Sequence, residues 1–478
     1  MNTQEQAHKL KSISRADFDF VKHTPLFDAI PQKARLQLFL CITRRQVPAG
    51  TRFIFQGEEG EVFYIVRSGS CTVSVERDGK VHPVAIIGPG HTVGEMALLT
   101  GERRNAHVES RTEMELWCIS RDDFDRICGE YPQVAHFLTG IVTNRLDHTR
   151  VTADRTIGKY TINGVLGKGG GSIVYKGVHT SLNMPVAIKM LKHQLAMDPH
   201  FLEQFHREAR TIANLNHENI VKVYDIEELY RTVFIVMEYL EGKTVESILN
   251  DVERLPPSFA LNIILQVSAG LGYAHRMGII HRDVKPANIV VLSGGRVKIL
   301  DFGLAEAPGA TEGRVIEGTP LYVPPERLKP GTVDERSDIY SLGMSCYKMI
   351  TGRYAFDDAD VGHLLYRHLN EDIPDPREFL CDLPDELFTF LTRSTRKNPA
   401  DRYQSADEII QELTPLAKKL GVRMQGEGGS ETSLTMLSIS YQARHGEIVR
   451  RLLRDFGKEL ASIGAVLSEA EYKEVKGD

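Results

Sequence analysis

The chain has 478 residues, too many for one ordinary hydrophobic core and enough for about three units at ~150 residues each. Apolar residues make up 42% and charged residues 26%, and the formal net charge is −6. That suits a globular chain and argues against bulk positive charge directed at nucleic acid or an anionic membrane; six scattered cysteines without a CxxC pair suggest neither a zinc site nor a disulfide framework.

The opening residues, MNTQEQAHKLKSIS, are polar, and no apolar region follows that reads as a signal peptide. No run approaches the ~18 apolar residues of a transmembrane helix. The expectation is a cytoplasmic protein with no nucleic-acid or membrane partner. Residues 1–24 read as an N-terminal extension and residues 25–150 as a first domain. Within that domain Pro31 to Leu40 has a helical pattern. From about Thr51 to Leu116, short period-2 runs are cut by glycines at turn-like spacing. Val73 and Val75 alternate, Asp78-Gly79 supplies a hairpin turn, and Val81 resumes the run, which predicts a compact antiparallel β-barrel or jelly roll. One helical pattern then covers Arg121 to Arg150, with Phe124, Ile127, Val134, Phe137, Ile141 and Leu146 as its apolar positions.

Residues 151–159 are polar and read as a linker. Residues 160–420 form the next domain, about eighty strand-rich residues and then helical patterns from Pro257 to about Leu420, so a small β lobe precedes a larger α lobe. Residues 421–440, with QGEGGSETS at their centre, read as a flexible linker. Residues 441–478 close the chain as an amphipathic helix with Ile448, Leu452, Phe456, Leu460 and Ile463 on one face. Packing on its own domain, a homodimer contact, and an autoinhibitory or partner-binding segment all fit that face.

Two stretches carry chemistry. The first in the chain is GEMALLTGERRNAH, Gly94 to His107, which combines small residues, a carboxylate and an arginine pair. The second is an ordered series. LGKGGGSIVYKG begins at Leu166 and VAIK ends at Lys189. Glu208 sits in the helical pattern FHREARTIANLNH. IIHRDVKPANIVV spans Ile279 to Val291, Asp301-Phe302-Gly303 follows, and GTPLYVPPE runs from Gly318 to Glu326. A glycine-rich loop alone is a weak signal; this order and spacing make a strong one.

The series resembles the eukaryotic-like protein kinase family over roughly Tyr160 to Leu420, and looks more like its bacterial members. The resemblance implies a two-lobed α+β kinase fold that binds ATP and Mg2+. Leu166, Gly167 and Gly169 would form the loop over the phosphates, where glycine leaves room for backbone N–H groups. Val174 and Ala187 would cover the adenine, with Met237 as gatekeeper and Glu238-Tyr239-Leu240 as the hinge. Lys189 would meet the α/β-phosphates, held by Glu208. Asp283 would orient the attacking hydroxyl and accept its proton, and Asn288 and Asp301 would offer magnesium hard oxygen atoms. Lys285 and Thr319 match the serine/threonine-specific members. Glu326 would pair with Arg402, and Asp338 looks like the family's buried structural aspartate. Thr311 is the candidate activation-loop phosphosite, the one hydroxyl between Gly303 and Gly318. Ser172 departs from the family by standing where a third glycine is usual.

The region from about Leu26 to Leu146 resembles the cyclic-nucleotide-binding domain family. Gly94, Glu95, Met96, Ala97, Arg104, Asn105 and Ala106 fall on its phosphate-binding cassette. The resemblance implies Glu95 on the ribose 2′-hydroxyl and Arg104 on the cyclic phosphate, for which a fork-shaped guanidinium is suited. Arg103 stands where proline is usual and His107 where threonine is common, and cAMP and cGMP both remain open as ligand. Together the resemblances imply a multidomain serine/threonine kinase that phosphorylates protein substrates under control of a bound cyclic nucleotide. A constitutive kinase with a non-binding barrel and a pseudokinase scaffold are the alternatives.

Overall fold

The computed structural model describes residues 14–24, 27, 32–77, 79–95, 103–131, 139–143, 146, 155–169, 171–196, 202–203, 206, 209, 212–302, 320–329, 333–422, 448, 451–452 and 455–456. The chain divides into two compact units, residues 1–206 with 223–239 and residues 207–222 with 240–478.

The first unit begins with helices α1 (Arg15–Lys22) and α2 (Gln32–Cys41). Ser14 and Asp17 form a reciprocal capping box at the start of α1, and the same Asp17 carboxylate accepts from Arg44 at 2.6 Å. Eight strands follow: β1 (Thr43–Val47), β2 (Arg52–Ile54), β3 (Val62–Ser68), β4 (Cys71–Arg77), β5 (Lys80–Ile87), β6 (Thr92–Val93), β7 (His107–Ser110) and β8 (Met114–Ser120). They form two antiparallel sheets, ordered β1-β8-β3-β6 and β2-β7-β4-β5, the arrangement of a jelly roll. Val47, Ile54, Val66, Val93, Val108 and Leu116 belong to one buried cluster of these strands.

Arg77 pairs with Lys80, so the β4–β5 connection is the two-residue turn the sequence predicts. Val81, expected to resume the inward alternation, is 48% exposed. A register shift in β4–β5 lies further along the pair, at Val73/Ser74. The exposure of Val81 follows from the turn itself: it pairs with exposed Glu76, one position out of phase with Val73 and Val75, and so lies on the opposite face. The single helix expected from Arg121 to Arg150 is also interrupted. Helix α3 (Arg121–Glu130) starts on the Ser120 side chain, which accepts from the Asp123 amide at 3.2 Å. It stops at Tyr131, where φ is −132° and ψ is 84°. Tyr131 precedes Pro132, whose ring disfavours helical backbone in the residue before it. Residues 139–143 and 146 are helical again.

The unit continues in a six-stranded antiparallel sheet, ordered β13-β14-β12-β11-β10-β9, from β9 (Thr156–Ile157), β10 (Tyr160–Lys168), β11 (Ser172–His179), β12 (Met184–Leu191), β13 (Val223–Leu229) and β14 (Thr232–Glu238). Thr156–Ile157, inside the stretch expected as linker, pair with β10 at the sheet edge. Alternation gives the sheet two different faces. Ile173, Tyr175, Val186, Ile188, Phe234 and Val236 belong to a buried cluster that also contains Phe124, Ile127, Ile141 and Leu146 of the preceding domain. The other face carries Val174, Ala187 and Lys189.

The second unit is mainly helical: α4 (Val245–Val252), α5 (Pro257–Arg276), α6 (Arg336–Thr351), α7 (Val361–Asn370), α8 (Asp385–Ser394) and α9 (Ala406–Lys419), with a small sheet of β15 (Gly242–Thr244), β16 (Ile289–Leu292) and β17 (Val297–Ile299). Helix α6 is buried on nearly every side. Among the described residues no helix is long and apolar enough to cross a membrane. Of the C-terminal amphipathic pattern, Ile448, Leu452 and Phe456 are described and exposed; Leu460 and Ile463 lie outside the described residues.

Candidate active site and nucleotide site

In the first unit, strand register brings the expected ATP residues together. Gly167 pairs with Val174, Val174 with Lys189, and Lys189 with Ile235, so glycine loop, cover residue and lysine lie on one rung. Ala187 pairs with Met237 and Val186 with Glu238. Lys189, Ala187 and Met237 are buried, and Leu166 is exposed. A Cβ at Gly167 would meet nothing within 4 Å, so the fold itself does not require glycine there. Gly169 donates its amide to the Ser172 carbonyl at 2.9 Å. Glu208, the expected partner of Lys189, lies outside the described residues.

In the second unit, Asp283, Lys285 and Asn288 meet directly. Lys285 Nζ is 2.8 Å from Asp283 Oδ2. Asn288 Nδ2 donates to Asp283 Oδ2 at 2.9 Å and to the Asp283 carbonyl at 2.8 Å. Those bonds engage the amide nitrogen and leave the amide oxygen, the atom a hard cation takes. The loop is held from behind by Asp338, buried in α6. Its carboxylate accepts from His275 Nε2 at 2.8 Å, from the His281 amide at 2.7 Å and from the Arg282 amide at 2.8 Å. Arg282 has φ +68°, a left-handed conformation costly for a side chain of its size. The Asp338 bond and Arg327 Nη1, which donates to the Arg282 carbonyl at 2.7 Å, hold that turn just before Asp283. His281 Nε2 donates to the Leu300 carbonyl at 2.7 Å while its Nδ1 accepts from the Asp283 amide at 3.1 Å. That ties the loop to the segment reaching Asp301, itself at φ +56°. Leu240 is half-buried. Gly303, Thr311 and Thr319 lie outside the described residues.

Arg402 makes the expected pair with Glu326, two bonds of 2.7 Å. Burial alone would raise the Glu326 carboxyl's pKa; the Arg402 bonds and charge outweigh it and hold the value below the usual carboxylate range. Sequence reasoning passed over Arg327 and His281. The histidine lies in the HRD stretch already in view, whereas Arg327 is separated from Arg282 by 45 positions and has no local signal.

In the jelly roll the two arginines of the cassette separate. Arg103 is exposed and donates to the Gly57 carbonyl at 2.9 Å. Arg104 is 8% exposed, and its guanidinium donates to the carbonyls of Gly94 and Val62 at 2.5 Å each. Burial lowers the Arg104 pKa, while Tyr64, Glu95 and Glu58 act in the opposite sense. Glu95 is buried, Asn105 exposed and Ala106 half-buried; Met96 and Ala97 lie outside the described residues. Gly94 has φ +78°, and a Cβ there would fall 2.5 Å from Arg104 Nη1. His107 is buried, its Nδ1 accepting from the Gln56 amide at 3.0 Å.

These features are those of a phosphotransferase domain preceded by a jelly roll. A family model for the protein kinase domain matches residues 160–413, and one for the cyclic nucleotide-binding domain matches residues 44–131. The chain belongs to the protein kinase family, as a bacterial-type serine/threonine protein kinase with an N-terminal cyclic nucleotide-binding domain. The serine/threonine-protein kinase PknL of Mycobacterium tuberculosis is 37% identical over 267 residues, 55% of this chain and 67% of that protein. A probable serine/threonine-protein kinase of Streptomyces coelicolor is 39% identical over 261 residues, 53% of this chain but 39% of that protein. The PknI kinase domain of Mycobacterium tuberculosis is 29% identical, covering 54% of this chain and 96% of that domain, with a TM-score of 0.46.

Proposed function

We propose that this chain transfers the ATP γ-phosphate to serine or threonine hydroxyls of protein substrates, and that cAMP or cGMP bound at Arg104 sets the rate. Kinase chemistry is mostly positioning and charge neutralisation, and the residues present fit ATP and Mg2+. Lys189 places one buried ammonium on a face otherwise lined by apolar Val174 and Ala187, which suits a ligand with a flat base and phosphates. Asn288 and Asp301 offer oxygens to magnesium, which when bound neutralises charge on the phosphates. Asp283, pinned through Arg282 and Asp338, orients the attacking hydroxyl and takes its proton. Lys285, already against Asp283, offsets charge on the phosphoryl oxygens.

The observation that carries the regulatory half is Arg104, a buried cation whose hydrogen bonds end on neutral carbonyls. A cyclic phosphate offers that guanidinium an anionic acceptor suited to its fork in place of neutral carbonyls. Glu95, beside it in the barrel, supplies the acceptor for a ribose hydroxyl.

The test is phosphate transfer from labelled ATP with magnesium onto a generic protein substrate, with and without cAMP or cGMP, beside Asp283→Asn and Arg104→Ala. Label absent from Asp283→Asn and altered by one nucleotide in wild type but not in Arg104→Ala supports the reading. A rate indifferent to both nucleotides removes the regulation. No transfer above the Asp283→Asn control removes the enzyme.

A further inference from the structure

We infer that the jelly-roll domain acts on the kinase through a built contact in which Asp125 and Thr139 hold the β13–β14 turn and the residues just after Lys189, so that both are positioning residues for phosphoryl transfer. This rests on the regulated-kinase reading above and specifies its route.

Three observations converge. First, His193 lies four positions after Lys189, at the start of the short helical turn His193–Ala196, and is fully buried. Its backbone amide donates to Thr139 Oγ1 at 3.0 Å, the Thr139 hydroxyl donates to His193 Nδ1 at 2.9 Å, and His193 Nε2 donates to the Tyr230 carbonyl at 2.7 Å. A single neutral tautomer satisfies all three bonds, and burial keeps the ring neutral. One threonine of the helical stretch after α3 is thereby fastened both to the chain leaving β12 and, through the ring, to β13–β14.

Second, β13 and β14 are joined by two residues, Tyr230 and Arg231, with φ +56° and +57°. A two-residue turn with both φ values positive normally takes asparagine, aspartate or glycine. Tyrosine and arginine are poor choices, so the turn depends on outside contacts. Tyr230 OH donates to the Thr156 carbonyl at 3.2 Å, its own carbonyl receives His193, and Arg231 Nη1 pairs with Asp125 of α3. The Arg231 tie leads directly into the preceding domain, the His193 tie reaches it through Thr139, and the hydrophobic cluster beneath them is continuous between the two.

Third, the contact connects back to Arg104. Arg104 donates to the Val62 carbonyl, and Val62 pairs with Ser120 across β3–β8. Ser120 caps α3, the helix that carries Asp125, and the first amide of that helix, Arg121, donates to the Glu61 carbonyl at 2.8 Å. An anion that takes donors from Arg104 withdraws them from the strand pair on which α3 begins. A ligand shifts an equilibrium only by binding two states differently, and this exchange of partners supplies such a difference.

The test uses the full chain. Thr139→Val, Thr139→Ser and Asp125→Asn are assayed for kcat, KM for ATP, response to cAMP and cGMP, and equilibrium binding of each nucleotide. Thr139→Val and Asp125→Asn are expected to bind nucleotide within about threefold of wild type. They should lose most of the nucleotide-dependent change in rate and raise KM for ATP, and Thr139→Ser should restore both. Because Thr139 is packed beside buried His193, Asp125→Asn at the more exposed Arg231 pair serves as the variant less exposed to misfolding. Full wild-type response in both Thr139→Val and Asp125→Asn overturns the inference. A wild type that binds neither nucleotide sinks the regulatory reading instead. The contact is then judged by KM for ATP alone: raised in Thr139→Val and recovered in Thr139→Ser, it stands; unchanged, it falls.

Discussion

Gly94 shows how a single residue without a side chain makes room for a buried cation. Its φ of +78° is open to glycine at little cost, and the space where a Cβ would stand is filled by the Arg104 guanidinium. Alanine meets both penalties, about 1–2 kcal/mol for the left-handed backbone and the displacement of a cation that is itself buried. Gly94→Ala is therefore expected to weaken cAMP or cGMP binding by at least about tenfold, or ~1.4 kcal/mol, with the kinase residues left in place. Calorimetric titration of the variant reads this directly, and wild-type affinity would show that Arg104 does not hold the phosphate. The same residue-scale logic explains what was legible in the primary structure. Composition alone does not tell the two arginines of GERRNAH apart; the family resemblance does, since Arg103 stands where proline is usual and Arg104 falls on the arginine position, and Arg104 is the buried one of the two. In the fold that placement comes with two loop bonds ahead of β7: the Arg104 amide donates to the Glu58 carbonyl and the Arg104 carbonyl accepts from the Gly57 amide, both at 2.7 Å, and the Arg104 side chain is buried.

At the scale of elements, period-2 patterning and turn residues forecast the jelly roll and the small kinase lobe, because strand and hairpin signals are local. The contact between α3 and the β13–β14 turn leaves no such trace, since Asp125 and Arg231 are 106 positions apart and Thr139 and His193 are 54 apart. Tyr230-Arg231 even conceals a hairpin turn, having none of the residues that usually mark one. His193 gives this contact a pH signature. Burial pushes its pKa down to about 4 from the ordinary 6.5, against the opposing effect of the Tyr230 carbonyl and in line with that of Arg231. Between those values the unfolded chain binds a proton that the folded chain refuses, so stability falls as pH drops from about 6.5 to about 4. Over 2.5 units the ceiling is roughly 3 kcal/mol. Urea melts at pH 7.5 and 4.5 should show this loss in wild type and a shallower one in His193→Gln, whose amide does not titrate. Equal pH slopes in the two proteins would mean the ring is not held neutral in the fold.

At the scale of the whole chain, the compact units do not follow the family boundaries. The jelly-roll domain and the kinase β lobe fall in one unit and the helical lobe in another, although the family match for the kinase runs unbroken over 160–413. Motifs report common chemistry, and they are blind to which neighbour a sheet buries its back against. If the shared cluster behaves as one cooperative body, a ligand bound at Arg104 stabilises the β lobe along with the barrel that holds it. Saturation at about 100 times Kd adds roughly 2.7 kcal/mol to the state that binds, shared by every element that opens together with the site. Hydrogen exchange with and without saturating cyclic nucleotide is thus expected to show added protection in β3, β8 and α3, and equally in β12 and the β13–β14 turn, which lie outside the nucleotide domain. Helices α5 and α6 of the other unit should gain little. Protection confined to β1–β8 would show that barrel and β lobe open independently, and that the continuous core between them is too weak to carry a signal.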